Sequence, residues 1–196
     1  MKTIASWIAA LGLAAVAQLA MAAPVNIASS LDNADPTFNR TLAGNPPGAL
    51  SGVGTAVSYE VYAFHVSGAG SYSFETTSAN FLTGSSDDTF ISLYQGAFND
   101  AAPLANVLQS NDDSGAGLLS LIIRNLVAGV DYFLVVTSFA NGQFGNYTAV
   151  FDSANGDGQV ILGPVPSDRV PEPSMLLLMP LALAGLAFSR RRKVLT

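Results

Sequence analysis

Cysteine is absent from the 196-residue chain. No disulfide can form and no thiol nucleophile is available, so a folded domain must be held by its core or by a bound ion. Histidine is nearly absent too, since His65 is the only one. A Ser-His-Asp arrangement needs a histidine base in a site built to orient it. His65 instead lies inside an aromatic, β-branched stretch, which is typical of a packed or surface residue of a strand.

Other catalytic arrangements are also missing. A glycosidase needs two carboxylates set across a cleft, whereas the acidic residues here cluster in turn-like segments. No glycine-rich loop precedes a helical pattern, so phosphate-binding motifs are absent. We therefore predict that the protein is not an enzyme and has no catalytic residues. A hydrolase that uses His65 or the aspartates is the alternative.

Basic residues are scarce in the middle of the chain. Of eight Lys and Arg, only Arg40, Arg124 and Arg169 lie between positions 23 and 172, whereas all fourteen Asp and Glu do. This span has a net charge of 3 − 14 = −11. Such an acidic surface excludes nucleic acid as a partner, because nucleic-acid binding needs a basic footprint. It suits solubility outside the cell and tolerance of divalent cations.

The amino end has the pattern of a secretory signal peptide. Lys2 precedes an apolar run over residues 4–17, and Ala20-Met21-Ala22 forms a small-x-small cleavage box. We predict a signal helix over residues 1–22 and cleavage after Ala22. An uncleaved membrane anchor is the alternative.

The carboxyl end has three parts. Val170-Pro171-Glu172-Pro173 comes first, a hydrophobic helix is predicted for residues 175–188, and Arg190-Arg191-Arg192-Lys193 forms a basic end. Fourteen helical residues span about 21 Å, which is short for a segment that crosses a bilayer with about 20 residues. The basic end would stay in the cytoplasm. The tail is either a single-pass anchor or a transient sorting signal that is cut near Pro171-Glu172-Pro173.

This tail, over residues 170–196, resembles a PEP-CTERM sorting signal. The resemblance implies processing by an exosortase, a membrane cysteine transpeptidase of Gram-negative bacteria that make exopolysaccharide. It implies export through the Sec translocon and a transient stay in the inner membrane, then release to or attachment at the cell surface or extracellular matrix. It implies no activity, because unrelated domains share the tail.

The middle of the chain predicts an all-β fold. Gly, Pro and Asn clusters make residues 23–58 look irregular. Residues 59–66 and 71–77 alternate with period two and predict a β-hairpin. Strand-like segments separated by turns continue to residue 153, which predicts a single antiparallel β-sandwich over 59–153. Residues 154–169 are predicted to be a spacer, with 159–162 as a candidate edge strand.

Several segments of the middle domain are similar to the bacterial pre-peptidase C-terminal domain. They are Asp88 to Tyr94, Asn111-Asp112-Asp113, Leu126 to Val136 and Gly145 to Thr148. The resemblance implies a jelly-roll-like β-sandwich, and some members of that family bind Ca²⁺ and polymers. No catalytic domain accompanies the module in this chain.

Two acidic turns form the candidate metal site. Its residues are Asp87, Asp88, Asn111, Asp112 and Asp113. If the adjacent strands are neighbours, these oxygen ligands converge and can hold Ca²⁺. The alternative is that Asp and Asn only stabilise turns, because their side chains bond to the local backbone.

Aromatic residues are frequent in the first strands and fill a core between sheets, or they stack on sugars where they face outward. Our first hypothesis is a non-enzymatic surface or matrix protein with a structural or adhesive role in an exopolysaccharide or biofilm layer. The alternative is a Ca²⁺-dependent module that binds polysaccharide or another polymer.

Overall fold

The computed structural model describes residues 23–82, 84, 87–155 and 158–166. The signal segment 1–22, with Ala20 and Ala22, lies outside these residues, and so does the tail from Val170 onwards. The predicted cleavage site, hydrophobic helix and basic end therefore all fall on residues without a structural description. Within the described part of the chain, no helix is long and apolar enough to cross a membrane.

The regular secondary structure of the described residues consists entirely of ten strands, which confirms the all-β class. They are β1 (Val25–Leu31), β2 (Thr37–Phe38), β3 (Val57–Val66), β4 (Gly70–Phe81), β5 (Thr89–Gln95), β6 (Val107–Asn111), β7 (Leu121–Leu126), β8 (Tyr132–Ser138), β9 (Gly145–Ser153) and β10 (Val160–Leu162). Aromatic and β-branched residues dominate β3, β5 and β8, as strands prefer.

Two antiparallel sheets share one core. The four-stranded sheet has the order β1-β9-β4-β7, and the larger sheet has the order β10-β3-β8-β5-β6, with β2 also paired to β3. Alternation turns Tyr72 and Phe74 of β4 towards the larger sheet, where Phe64 meets Phe74 with ring centroids 5.0 Å apart. This arrangement is compatible with a β-sandwich.

Residues 23–58 differ from the irregular segment predicted for them. β1 forms an edge of the four-stranded sheet by pairing with β9, from Val25↔Phe151 to Leu31↔Gly145. β2 pairs with the beginning of β3. Small polar residues such as Ser29 occupy positions where other strands carry large apolar ones, so the alternation of β1 is weak in the sequence. Residues 32–36, between β1 and β2, and residues 39–56, between β2 and β3, lie outside the strands.

β3 and β4 belong to different sheets, so the predicted hairpin does not form. Residues 67–69 instead carry the chain from the larger sheet to the four-stranded one. Two alternating strands joined by a turn can form a hairpin or can lie in different sheets, because the alternation does not specify which strand each one pairs with. β10 lies inside the predicted spacer and extends the larger sheet beside β3.

The strand register places both described chain ends at one end of the sheets. Val25 pairs with Phe151 near the end of β9, and Val160 pairs with Val66 at the end of β3. At the opposite end of the larger sheet, Thr89 pairs with Ser138. We call this opposite end, where β5 begins and β6 finishes, the far end.

Candidate functional site

Three carboxylates meet at the far end. Oxygens of Asp88, Asp112 and Asp113 all lie within 4.8 Å of one another, and we call these residues the acidic cluster. Asp88 immediately precedes β5, whereas Asp112 and Asp113 immediately follow β6. Because β5 and β6 are antiparallel neighbours with Ile91 opposite Asn111, the start of one lies beside the finish of the other.

The two other predicted ligands have different surroundings. The Asn111 side-chain oxygen accepts a hydrogen bond from the Leu121 backbone N–H at 2.9 Å, and its amide nitrogen donates to Ser114 Oγ at 2.7 Å. Asn111 therefore stabilises the turn after β6, as the turn alternative expects. Asp87 is not one of the three clustered carboxylates. The carbonyl oxygen of Asp87 accepts the Thr89 N–H at 3.1 Å.

Burial and mutual repulsion disfavour the charged form of the cluster. Partial burial, followed by repulsion from Asp112 and Asp113, raises the pKa of Asp88 to about 6. Burial and the charge of Asp113 also raise the pKa of Asp112. One Asp112 carboxylate oxygen, Oδ1, is buried and has no hydrogen-bond partner among the described residues. A positive charge nearby would therefore stabilise the ionised form of the cluster.

Arg40 supplies part of that charge, and the sequence did not reveal it. The side chain is only 2% exposed, and its Cζ lies 3.9 Å from the Phe90 ring centroid and 4.6 Å from that of Phe139. Its Nε donates to the Phe139 carbonyl at 2.9 Å. Burial lowers the pKa of Arg40, while the charges of Asp112 and Asp88 act in the opposite direction. The guanidinium is thus a fixed cation behind the cluster.

Glycine makes room for this arginine. A Cβ placed on Gly54 would lie 2.5 Å from Arg40 Nε, so any larger residue there would displace the guanidinium. Backbone hydrogen bonds also join Arg40 to Gly54 and Ser51. The glycine-rich loop, which the sequence predicts to be irregular, therefore fixes the position of Arg40.

A second polar group lies between the sheets. The Glu60 carboxylate accepts hydrogen bonds from Ser29 Oγ at 2.9 Å, from the Tyr62 hydroxyl at 2.6 Å and from the Tyr147 hydroxyl. Burial, followed by the bond to Glu60, raises the pKa of Tyr62 to about 12, and the same causes raise the pKa of Tyr147. These contacts link β1, β3 and β9, so the group stabilises the packing of the two sheets.

His65 lies on β3, and its Nδ1 is 3.1 Å from the Gly163 carbonyl oxygen. This contact fastens the chain after β10 to the edge of the larger sheet. The position of His65 in a strand agrees with the interpretation that the sequence favours.

The aromatic side chains of β3, β4 and β5 are all buried or half-buried. They are Tyr59, Tyr62, Phe64, Tyr72, Phe74, Phe81, Phe90 and Tyr94. Among the described residues, every aromatic side chain is buried or half-buried.

Comparison with known families identifies a PEP-CTERM protein-sorting motif at residues 169–193. The matched segment contains Val170 to Pro173 and Arg190 to Lys193, and it confirms the resemblance of the tail. No curated protein matches the sequence. The motif implies an exosortase-sorted extracellular protein that reaches the cell surface through the membrane, and it indicates no catalytic family. The resemblance of the middle domain to the pre-peptidase C-terminal domain is not confirmed.

Proposed function

We propose that the protein is a non-enzymatic component of the cell surface or extracellular matrix of a Gram-negative bacterium, with a structural or adhesive role in an exopolysaccharide or biofilm layer. The observation that carries the proposal is the sorting motif at residues 169–193. The route has three steps: export through the Sec translocon, cleavage after Ala22, and exosortase processing of a tail held briefly in the inner membrane. The domain delivered is a jelly-roll-like β-sandwich with an acidic surface.

Both ends of the described domain lie on one side of the sheets. Val165 donates its backbone N–H to Asp131 Oδ1, just before β8 begins, so the chain leaves towards residue 169 at the end opposite the acidic cluster. The first strand, β1, also begins at that end. The acidic cluster, with Asp88 and Asp112, therefore lies at the end of the sheets opposite Val25 and Val165.

Changing the motif tests the route. We would replace Pro171, Glu172 and Pro173 by alanine and express the full chain in bacteria that carry an exosortase. The unchanged protein should be released with both terminal segments removed, as read from its intact mass. The variant should stay in the membrane fraction with its tail intact. The matched control replaces Pro164 and Pro166, which precede the motif, and equal release of motif variant and control would contradict the proposal.

Deleting the protein tests its role in the layer. Loss of the protein should reduce the cohesion of the matrix, and the normal chain should restore it while the motif variant should not. Normal biofilm mass and normal matrix retention of exopolysaccharide in the deletion strain would leave only the sorting part of the proposal.

A Ca²⁺ ion at the acidic cluster is a second proposal. Ca²⁺ takes about six to eight oxygen ligands, often with several carboxylates and water. Asp88, Asp112 and Asp113 supply three carboxylates within 4.8 Å, and the unpartnered Asp112 Oδ1 is a ready ligand. A bound cation would relieve the repulsion that raises the pKa of Asp88 and Asp112. The ion would stabilise the far end of a domain that has no disulfides.

Thermal unfolding of the full chain in Ca²⁺ and in chelator tests the site. Ca²⁺ should raise the midpoint, and Asp112→Asn should remove most of the increase. Asp152→Asn, on β9 and outside the cluster, should leave the increase unchanged. An equal midpoint with and without Ca²⁺ in the unchanged protein would show that the aspartates serve only the turns.

A further inference from the structure

The outer face of the four-stranded sheet carries an open groove of about 590 Å³. This volume lies within the range of small-ligand and cofactor sites, about 300–1,000 Å³. We call it the outer groove, and the outward-facing side chains that line it are Ala28, Ser30, Ser78, Asn80, Asn146 and Thr148. They form two rows across β1, β9 and β4: Ala28–Thr148–Ser78 and Ser30–Asn146–Asn80.

A β-bulge concentrates hydroxyl groups in the first row. The pairing of β4 with β9 shifts between Thr76 and Ser78, so both Thr77 and Ser78 stand opposite Thr148. Thr148 Oγ1 lies 2.8 Å from Thr77 Oγ1 and 2.6 Å from Ser78 Oγ. The three hydroxyls hold one another in place, which orders them before any ligand arrives.

The second row offers unused hydrogen-bonding groups. Asn80 and Asn146 are directly opposite each other on neighbouring strands, and Ser30 stands on the other side of Asn146. The side chains of Asn80, Asn146 and Ser30 make no hydrogen bond to any described residue, and all three residues are exposed. Two amides and a hydroxyl can therefore donate and accept hydrogen bonds across about 10 Å, the width of three strands.

The outward-facing side chains of the lining include no charged and no large apolar one, because Tyr147 turns its ring inward. A peptide partner would need apolar or aromatic anchors, which the outer groove does not provide. An anionic polymer would meet no cation there and would be repelled by a domain of net charge −11 over residues 23–172. Hydroxyl and amide groups match a ligand that is itself uncharged and rich in hydroxyls.

We infer that the outer groove binds a segment of a neutral polysaccharide. The hydroxyl cluster around Thr148 and the amides of Asn80 and Asn146 hydrogen-bond to sugar hydroxyls without aromatic stacking. This inference rests on the proposed role in an exopolysaccharide layer, and it gives that role a site and a ligand class. Binding is independent of Ca²⁺, because the acidic cluster contributes nothing to the lining.

Calorimetric titration of the purified full chain tests the inference. The neutral probes are dextran, a β-1,4-glucan and a mannan, and the anionic probe is polygalacturonate. At least one neutral polymer should bind, with equal affinity in Ca²⁺ and in chelator. The double variant Asn80→Ala, Asn146→Ala should weaken that binding about tenfold or more, because each lost amide removes hydrogen bonds to the sugar. Asn33→Ala, an exposed asparagine outside the groove, should bind like the unchanged protein.

Four results would overturn the inference: no binding to any neutral polymer, stronger binding to polygalacturonate, unchanged binding in the double variant, or loss of binding in chelator. A second variant, Ser78→Trp, obstructs the outer groove with a bulky side chain. Its thermal midpoint shows whether the fold survives the substitution. The assay uses purified protein, so its outcome is separate from sorting. A chain that is sorted normally but binds no neutral polymer keeps its proposed role and loses only the groove.

Discussion

The acidic cluster and the outer groove expose oxygen-rich surfaces of opposite character. The cluster comes from turn residues at strand ends, concentrates negative charge, and has a buried arginine behind it. The groove comes from paired positions within β1, β9 and β4, with Asn80 and Asn146 one residue from the strand ends, and its outward-facing side chains are uncharged. Turns favour Asp and Asn because these residues bond to the local backbone, whereas Ser and Thr hydroxyls pair across neighbouring strands. We propose that the two surfaces serve different ligands, a cation at the cluster and a neutral polymer at the groove.

Arg40→Ala should produce the largest effect on this contrast. It removes a cation packed between Phe90 and Phe139 and leaves Asp88 and Asp112 without compensation. We expect the free energy of unfolding to fall by about 3 kcal/mol, measured by urea denaturation. Ca²⁺ should recover part of the loss. Arg124→Ala, a half-buried arginine on β7, should cost about 1 kcal/mol, and equal losses in the two variants would show that the charge of the cluster is unimportant.

Tyr147→Phe should have the next largest effect. Tyr147 lies between two groove residues but points inward, where its hydroxyl donates to Glu60. Losing a buried hydrogen bond to a carboxylate should lower the free energy of unfolding by about 2 kcal/mol, with the response to Ca²⁺ unchanged. Tyr59→Phe is the control, because its hydroxyl donates to Asp100 at the surface and should matter less. A similar cost for both would contradict a buried link between the sheets.

The pH dependence of stability should distinguish the cluster from the groove. Because the folded-state pKa of Asp88 is raised to about 6, the folded state binds a proton more tightly than the unfolded chain. The stabilisation is complete below about pH 4 and is lost as the pH rises through 6, by about 1 kcal/mol after allowance for solvent screening. Asp88→Asn should flatten this slope in chelator. Thermal midpoints between pH 4 and pH 7 measure it, and an unchanged slope in the variant would assign it to another group.

Asn146→Ala should have the smallest effect on stability. Its side chain is exposed and bonds to no described residue, so the free energy of unfolding should change by less than about 0.5 kcal/mol. A loss above about 1 kcal/mol in urea denaturation would mean that the groove amides stabilise the sheet, and the contrast between a structural cluster and a free groove would fail.

The acidic cluster could be predicted in part because its cause is local. Asp88 and Asp112 flank two strands that follow each other in the chain, and such strands are often neighbours in a sheet. Arg40 was not predictable in the same way. It reaches Phe139 across 99 positions of sequence through a loop whose Gly and Pro content signals only irregular structure. The groove could not be predicted from the sequence, because its residues are small, polar and distributed over three distant segments.

Strand periodicity, the acidic charge, the lack of cysteine and the sorting motif at residues 169–193 can all be read from the amino-acid sequence, because each depends on residue types or on residues close together in the chain. The separation of β3 and β4 into different sheets and the position of β1 beside β9 are visible only in the fold. The fold also shows that a bulge at Thr77 and Ser78 brings three hydroxyl groups together on one face of the sheet. Period-two alternation specifies which side of a strand is buried, whereas the choice of partner strand depends on packing among residues remote in sequence.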